Sequence, residues 1–304
     1  MGDLFEGEHR AVLVDLVRTQ TRDGLRLDGI YLEPIGPPQV PVGGMVFIHG
    51  TGGSFYTSSL FDDLAERLRR SGCGVLRVNT RGHDGISTAL TSQGGRRLGA
   101  AYEIVDDCRH DLAAWTEWLR QRVGGPVGLL GHSLGAVKAV YALAHEPSLR
   151  VGALVAVSPP RLSYSWFCQS PEGPEFLRTY AEAQRLVEAG QPTALMEVSL
   201  PLPSVVTAAG YVEKYGPEER YNYLRFLGEV PCPVLVTFGE VEVSTNMAFR
   251  GAPEAAAAVP RRGGTLAVVT IPGGDHFYTT TRDEIAAAID HWLRSLNVAA
   301  RSSP

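Results

Sequence analysis

The stretch that most constrains this chain is Gly131-His132-Ser133-Leu134-Gly135. It follows the apolar run Val127-Gly128-Leu129-Leu130 and opens a helical pattern over Ala136-Val137-Lys138-Ala139-Val140-Tyr141. A strand that becomes a helix through so short a turn leaves its central residue in a strained backbone conformation. Gly131 and Gly135 avoid the Cβ clashes that other residues would bring to such a turn. Ser133 is pushed clear of the sheet, and the helix start behind it offers backbone N–H groups to a developing negative charge. Strand, G-x-S-x-G and helix together mark Ser133 as a candidate nucleophile. The rest of the chain has to supply a base, an acid and a site for an oxyanion.

The 304 residues suit one large α/β domain, or such a domain carrying an insertion. A net charge of −5 argues against nucleic acid and anionic membranes as partners. The apolar runs fall well short of the roughly 20 residues that span a bilayer. The acidic start MGDLFEGEHRAV has no apolar signal-peptide region, so a cytoplasmic protein is expected. Cys73, Cys108, Cys168 and Cys232 lack metal-ligand or C-x-x-C spacing and read as free thiols. No metal and no cofactor is expected. The expected partner is a small acyl substrate, and the expected state is a monomer or homodimer.

Residues 11–34 predict two strands, from the alternation of Val12, Val14 and Leu16 and of Leu25 and Leu27, then Ile30 and Leu32, with Asp23-Gly24 as the turn. A buried strand over 43–48 leads into His49-Gly50-Thr51-Gly52-Gly53. Phe61, Leu64 and Leu68 mark a helix that Gly72 closes. The strand over 73–78 ends at Asn79-Thr80-Arg81-Gly82-His83-Asp84. Residues 85–100 read as a loop. Ile104, Cys108, Leu112, Trp115 and Leu119 recur at helical spacing, and a further buried strand covers 151–157. Repeated βα units of this kind imply a mostly parallel sheet with helices on both faces.

The alternation breaks over 161–230. That stretch holds 10 of the chain's 25 aromatic residues and one clear helix, with Pro174 near its start and Gly190 at its end. It reads as an inserted cap, so the core is expected over 1–160 and 231–304. The cap's aromatics form either its own small core or part of a pocket lining. Strands are expected at 233–238 and 266–271, with a helix of small residues near 247–259 between them. Thr281-Arg282-Asp283-Glu284 predicts a capping box for a last helix carrying Ile285, Ile289, Trp292, Leu293 and Leu296.

A serine hydroxyl needs a base within hydrogen-bond reach and a third group to orient that base. Behind a serine elbow of this type the chain order is Ser, acid, His. Three histidines follow Ser133. His145 lies about three turns along the helix that leaves it and cannot fold back, and His291 sits within the last helix. His276, in Gly273-Gly274-Asp275-His276-Phe277, follows a sheet strand and falls at the edge where Ser133 emerges. Asp275 reads as a turn residue. Glu240 and Glu242 both follow the strand ending at Phe238, and either could be the acid. The oxyanion needs two N–H donors about 3 Å away. Leu134 is one, and the loop at 49–53 supplies the other, with Thr51 first and Gly50 next.

HGTGG, NTRGHD, GHSLG, GExE and GGDHF stand in an order and spacing that resemble the α/β-hydrolase superfamily from about residue 11 to 297. Within it the GHSLGAVKA elbow and Glu213-Lys214-Tyr215-Gly216-Pro217 resemble capped bacterial serine esterases. The resemblance implies an eight-stranded, mostly parallel sheet with the cap between strands six and seven. It also implies an acid three residues after the strand-end glycine, which selects Glu242, here Glu where Asp is usual. The implied reaction is hydrolysis of a carboxylic ester or thioester through Ser133, His276 and Glu242. An acyl-transferring or cyclising enzyme that uses the same acyl-enzyme is the alternative, and a non-catalytic binding protein is the third reading.

Other polar clusters read as structure. His83-Asp84 is expected to be loop scaffolding, and Asp106, Asp107, His110 and Asp111 an ion-paired helix face. Lys138 is expected to be buried against a carboxylate. Phe55, Tyr56, Phe277 and Tyr278 flank the candidate site and, with Tyr164 and Trp166 of the cap, are candidates for the pocket wall.

Overall fold

A computed structural model describes residues 14–91 and 94–301. Strands β1 (Asp15–Gln20) and β2 (Arg26–Leu32) form an antiparallel hairpin. Val12 lies outside the described residues. β3 (Gly44–Ile48) and β4 (Gly74–Val78) follow, joined by α1 (Ser59–Arg70). Ser58 caps α1 through its side chain, which accepts from the Phe61 N–H, and Phe61, Leu64 and Leu68 are buried. β5 (Ser87–Thr91) and β6 (Gly94–Leu98) then form a separate antiparallel ribbon. This corrects the loop expected over 85–100: the polar, glycine-rich sequence gave no apolar alternation, and backbone pairing forms the ribbon without it.

α2 (Cys108–Arg122) leads to β7 (Val127–His132), and α3 (Leu134–His145) to β8 (Ala153–Val157). Ile104, expected on α2, lies in the turn before it. The segment between β8 and the next sheet strand carries α4 (Tyr164–Gln169), α5 (Gly173–Glu188), the ribbon β9 (Leu195–Val198) and β10 (Ser204–Thr207), and α6 (Ala208–Tyr215). α5 is the helix read from the sequence; α4 and α6 are too short to show a period. The sheet resumes with β11 (Val234–Gly239), followed by α7 (Glu240–Thr245) and α8 (Ala252–Ala257), and closes with β12 (Leu266–Ile271) and α9 (Arg282–Arg301).

The eight-stranded sheet runs β1-β2-β4-β3-β7-β8-β11-β12 and is parallel from β4 to β12. Each face packs on its own apolar cluster. One contains Trp115, Val137 and Tyr211, the other Phe47, Phe61 and Trp292. Two local expectations need correction. The helix predicted over 247–259 is confined to α8, because Gly251 takes a left-handed φ of 69° and interrupts it. Thr281 precedes α9, but its buried hydroxyl has no hydrogen-bond partner, so the side-chain half of the predicted capping box is not made. The Ile285 N–H bonds the Thr281 carbonyl instead.

Candidate active site

Ser133 sits between β7 and α3 with φ 56° and ψ −125°, a region that costs a side-chain-bearing residue of order 1–3 kcal/mol. Neighbouring backbone holds it there. Its N–H donates to the Val157 carbonyl at 2.8 Å. A β-carbon at Gly131 would meet the Gly135 carbonyl oxygen at 2.3 Å, and one at Gly135 would meet the Ile48 carbonyl oxygen at 2.2 Å. The motif's two glycines therefore permit a contact between turn, helix and β3 that no other residue could make.

The loop after β3 lies against the serine. A β-carbon at Gly50 would sit 2.9 Å from Ser133 Cβ and 3.4 Å from its Oγ. The backbone N–H groups of Gly50, Thr51 and Leu134 make no hydrogen bond among the described residues. His49 is buried beneath the loop. The Thr80 N–H donates to its Nε2 at 3.0 Å, so the ring proton is on Nδ1, which donates to the Gly50 carbonyl at 2.8 Å. Burial, reinforced by the Lys138 ammonium, pushes the His49 pKa down to about 3 and keeps this ring neutral.

Glu242 lies on α7, immediately after β11, and His276 in the loop after β12. They meet with His276 Nδ1 2.6 Å from Glu242 Oε2. The proton on Nδ1 faces the carboxylate, which leaves Nε2 as an acceptor. The other carboxylate oxygen is also occupied: Glu242 Oε1 accepts from Ser158 Oγ at 2.5 Å and from the Gly239 N–H at 2.7 Å. Ser158 Oγ lies 2.8 Å from the Tyr278 hydroxyl, itself 3.3 Å from Thr237 Oγ1. With Ser158 donating to the carboxylate, Tyr278 donates to Ser158. Gly239 is required here because a β-carbon would lie 2.4 Å from the Gly274 carbonyl oxygen, in the backbone of the His276 loop. Glu240 is exposed and accepts from the Gly273 N–H at 2.9 Å; it braces that loop and does not touch the histidine.

Ser133 Oγ and His276 make no hydrogen bond to each other among the described residues. Their segments are tied through His132, whose Nε2 donates to the His276 carbonyl at 2.8 Å. Burial, and then the neighbouring His276, push the His132 pKa down to about 3. Phe277 and Phe249 flank the His276 ring, each with its centroid 5.1 Å away.

Of the other expected wall residues, Phe55 donates its N–H to Asn79 Oδ1 at 3.0 Å, and Tyr56 is exposed with its hydroxyl on Asp84. Tyr164 packs on Phe176 and Tyr180 within the inserted segment. Trp166 donates from its indole to the Met247 carbonyl at 2.9 Å. Tyr278, expected at the pocket wall, is instead fully buried with its hydroxyl on Ser158. Phe249 and Ser158 had no sequence signal as site residues. Ser158 was visible only as a hydroxyl ending the strand beside that of the nucleophile.

The remaining clusters are structural. His83 and Asp84 pair at 2.9 Å, and the Asp84 N–H bonds the Gly53 carbonyl at 3.0 Å. Asp107 and Asp111 pair with Arg81, and Asp106 with Arg109. Among the described residues no group of three or more His, Cys, Asp or Glu could hold a metal ion, and no helix is long and apolar enough to cross a membrane. The four cysteines are unpaired thiols.

The sharp serine turn, the Glu–His pair and the eight-stranded sheet define an α/β-hydrolase architecture. The chain belongs to the alpha/beta hydrolase family, whose model matches residues 45–288. Among solved structures it is similar to Est1E from Butyrivibrio proteoclasticus with ferulic acid bound, at 17% identity and a TM-score of 0.64, over 90% of this chain and 97% of that one. It is also similar to DcsB in complex with its substrate analogue, at 16% identity and a TM-score of 0.66, over 93% and 99% of the two chains. The esterase domain of a Rhodothermus marinus protein aligns at 16% identity with a TM-score of 0.58, over 93% and 99%. No curated protein matches the sequence.

Proposed function

We propose that the chain is a cofactor-independent serine esterase that acts on a small acyl ester. The observation that carries this reading is the coincidence of two features. One is a serine held at φ 56° at a strand-to-helix turn; the other is a histidine whose Nδ1 lies 2.6 Å from a buried carboxylate. Ser133 Oγ attacks the acyl carbon as His276 Nε2 takes its proton, which brings these two atoms to about 3 Å in the substrate complex. Glu242 stabilises the resulting imidazolium and keeps its ring oriented.

The N–H groups of Leu134 and Thr51 donate to the oxyanion, with Gly50 beside them. Collapse of the tetrahedral intermediate expels the alcohol, which takes the proton from His276. Water activated by the same histidine then releases the acid and restores Ser133. Phe249 and Phe277 give the site apolar walls on either side of His276, which suits an apolar acyl or alcohol group. Residues 161–230 act as the cap, packed beside Phe249 through the Trp166–Met247 hydrogen bond. The Ser133→Ala variant is the test. Turnover of p-nitrophenyl acetate and butyrate should fall by about 10⁴ or more with the fold retained, and unchanged turnover would refute the assignment.

A further inference from the structure

The sequence has 28 lysines and arginines, and just two of them, Lys138 and Lys214, are lysines. Both are buried, one on α3 of the core and one on α6 of the inserted segment, and both act on the same carboxylate. Glu103 is itself buried, with Oε1 2.5 Å from Lys138 Nζ. Burial alone would raise its carboxyl pKa, but the two ammoniums more than offset that and hold it below the usual range.

Lys138 also donates to Thr80 Oγ1 at 3.2 Å, and Thr80 Oγ1 lies 3.0 Å from His49 Nε2. An ammonium can only donate, so Thr80 Oγ1 accepts from Lys138 and its own proton points to His49 Nε2. The hydroxyl thus joins the Thr80 N–H, also 3.0 Å from Nε2, in holding that ring nitrogen as an acceptor, and Nδ1–H is turned to the Gly50 carbonyl at 2.8 Å. The Gly53 N–H holds the same carbonyl at 3.2 Å. The Gly50–Thr51 peptide is trans, so fixing its carbonyl on the His49 side turns the Thr51 N–H the opposite way.

We infer that the buried run Glu103–Lys138–Thr80–His49 is a positioning device for the oxyanion site: it sets the plane of the Gly50–Thr51 peptide so that the Thr51 N–H stays aimed at the tetrahedral intermediate. None of its side chains touches the substrate. A device of this kind acts on the transition state, because the ester carbonyl makes weaker demands on the donor than the oxyanion does. The choice of lysine fits the task, since a compact ammonium donates at one point inside the core where a guanidinium fork would need far more room.

This inference rests on the esterase reading, and its test separates the two. Thr80→Val keeps the shape of the side chain and the Lys138–Glu103 pair but removes the hydroxyl relay, leaving the Thr80 N–H to hold His49 Nε2 without the Lys138 link; Thr80→Ser restores the relay. The readouts are kcat and KM on a p-nitrophenyl ester, and Ki for a trifluoromethyl ketone. The ketone adds Ser133 Oγ to its carbonyl carbon and places the hemiketal oxygen in the oxyanion site. Misplacing a donor without removing it should lower kcat in Thr80→Val by about tenfold, with KM within about twofold. Ki for the ketone should rise by the same factor as kcat falls, and Thr80→Ser should lie near wild type.

The double variant Lys138→Met/Glu103→Gln removes one positive and one negative charge together, so Lys214 loses both the Glu103 attraction and the Lys138 repulsion and keeps Glu213 as its counter-charge. This variant should show a similar loss of kcat, and adding Thr80→Val to it should cost little more, because both changes cut the same relay. A folded Thr80→Val enzyme with unchanged kcat and Ki overturns the inference. So does a Thr80→Ser enzyme as impaired as Thr80→Val, or losses that multiply in the triple variant. If wild type itself neither turns over the ester nor binds the ketone, the esterase reading fails instead.

Discussion

Replacing Glu242 with glutamine changes one atom, and the hydrogen bonds around it decide which one. Ser158 Oγ and the Gly239 N–H both donate to Glu242 Oε1, at 2.5 and 2.7 Å. In Glu242→Gln those two donors select the amide oxygen for the Oε1 position, and the NH₂ group is left facing His276 Nδ1. A donor now opposes a donor, so the ring is driven to the tautomer with its proton on Nε2, towards Ser133. It can no longer accept the serine proton. Turning the amide over would relieve His276 but set the NH₂ against two donors, losing two hydrogen bonds to a buried group at about 1–3 kcal/mol each.

The expected loss is about 10⁴ in kcat, or about 5 kcal/mol of transition-state stabilisation, with KM little changed. Steady-state kinetics on a p-nitrophenyl ester measures it, with the unfolding transition confirming an intact fold. Glu240→Gln is the control; its carboxylate accepts from the Gly273 N–H, a bond an amide oxygen keeps, and the change should cost less than about threefold. A Glu242→Gln enzyme retaining a tenth of wild-type kcat, or a larger loss in Glu240→Gln, would refute this reasoning.

Three further outcomes are expected. Ser158→Ala removes a hydroxyl that bonds the Glu242 carboxylate and should lower kcat about tenfold, consistent with about 1.5–3 kcal/mol for a hydrogen bond to a charged group, part of which is felt at His276. Gly50→Ala places a methyl 2.9 Å from Ser133 Cβ and should reduce kcat by at least about 10², with fluorescence-monitored unfolding little shifted, because the strain falls on the loop at the serine. His49 and His132 both have folded pKa values near 3 against an unfolded value of about 6.5, so the unfolded chain binds more protons between those limits. Their contribution to stability is complete above pH 6.5 and is lost as pH falls towards 3, by about 2 kcal/mol each at pH 5. Urea unfolding from pH 7.5 to 5 should show this slope, and His132→Gln, which keeps a donor for the His276 carbonyl, should flatten it by about one proton.

How much of this was legible in the sequence follows from the physics of each part. β3, β7, β8 and β11 are buried on both faces and read as apolar runs, so these strands and the Ser133 turn could be placed along the chain, though not their order in the sheet. Ser133, His276 and the two candidate carboxylates were legible because each ends a sheet strand at the same edge. The choice of Glu242 over Glu240 came from resemblance. Its physical basis, two donors gripping one oxygen and a glycine under the His276 loop, exists only in three dimensions. Phe249 could not be read because Gly251 breaks the expected helix and turns the preceding segment towards His276. The β5–β6 ribbon was missed because its sequence shows no apolar alternation; four of the five β6 residues are exposed. Lys138 was legible as a buried cation, but its partner Glu103 lies 35 residues earlier in the chain, with no motif to connect them.

Ser133 Oγ is the atom that the proposed mechanism acylates. Intact-mass measurement of the folded protein after exposure to a fluorophosphonate, followed by peptide mapping, tests this most directly. The mechanism predicts one adduct per chain, carried by the peptide containing Ser133, absent in Ser133→Ala and formed far more slowly in His276→Ala. An adduct on another residue, or none on the folded wild-type protein, would contradict it.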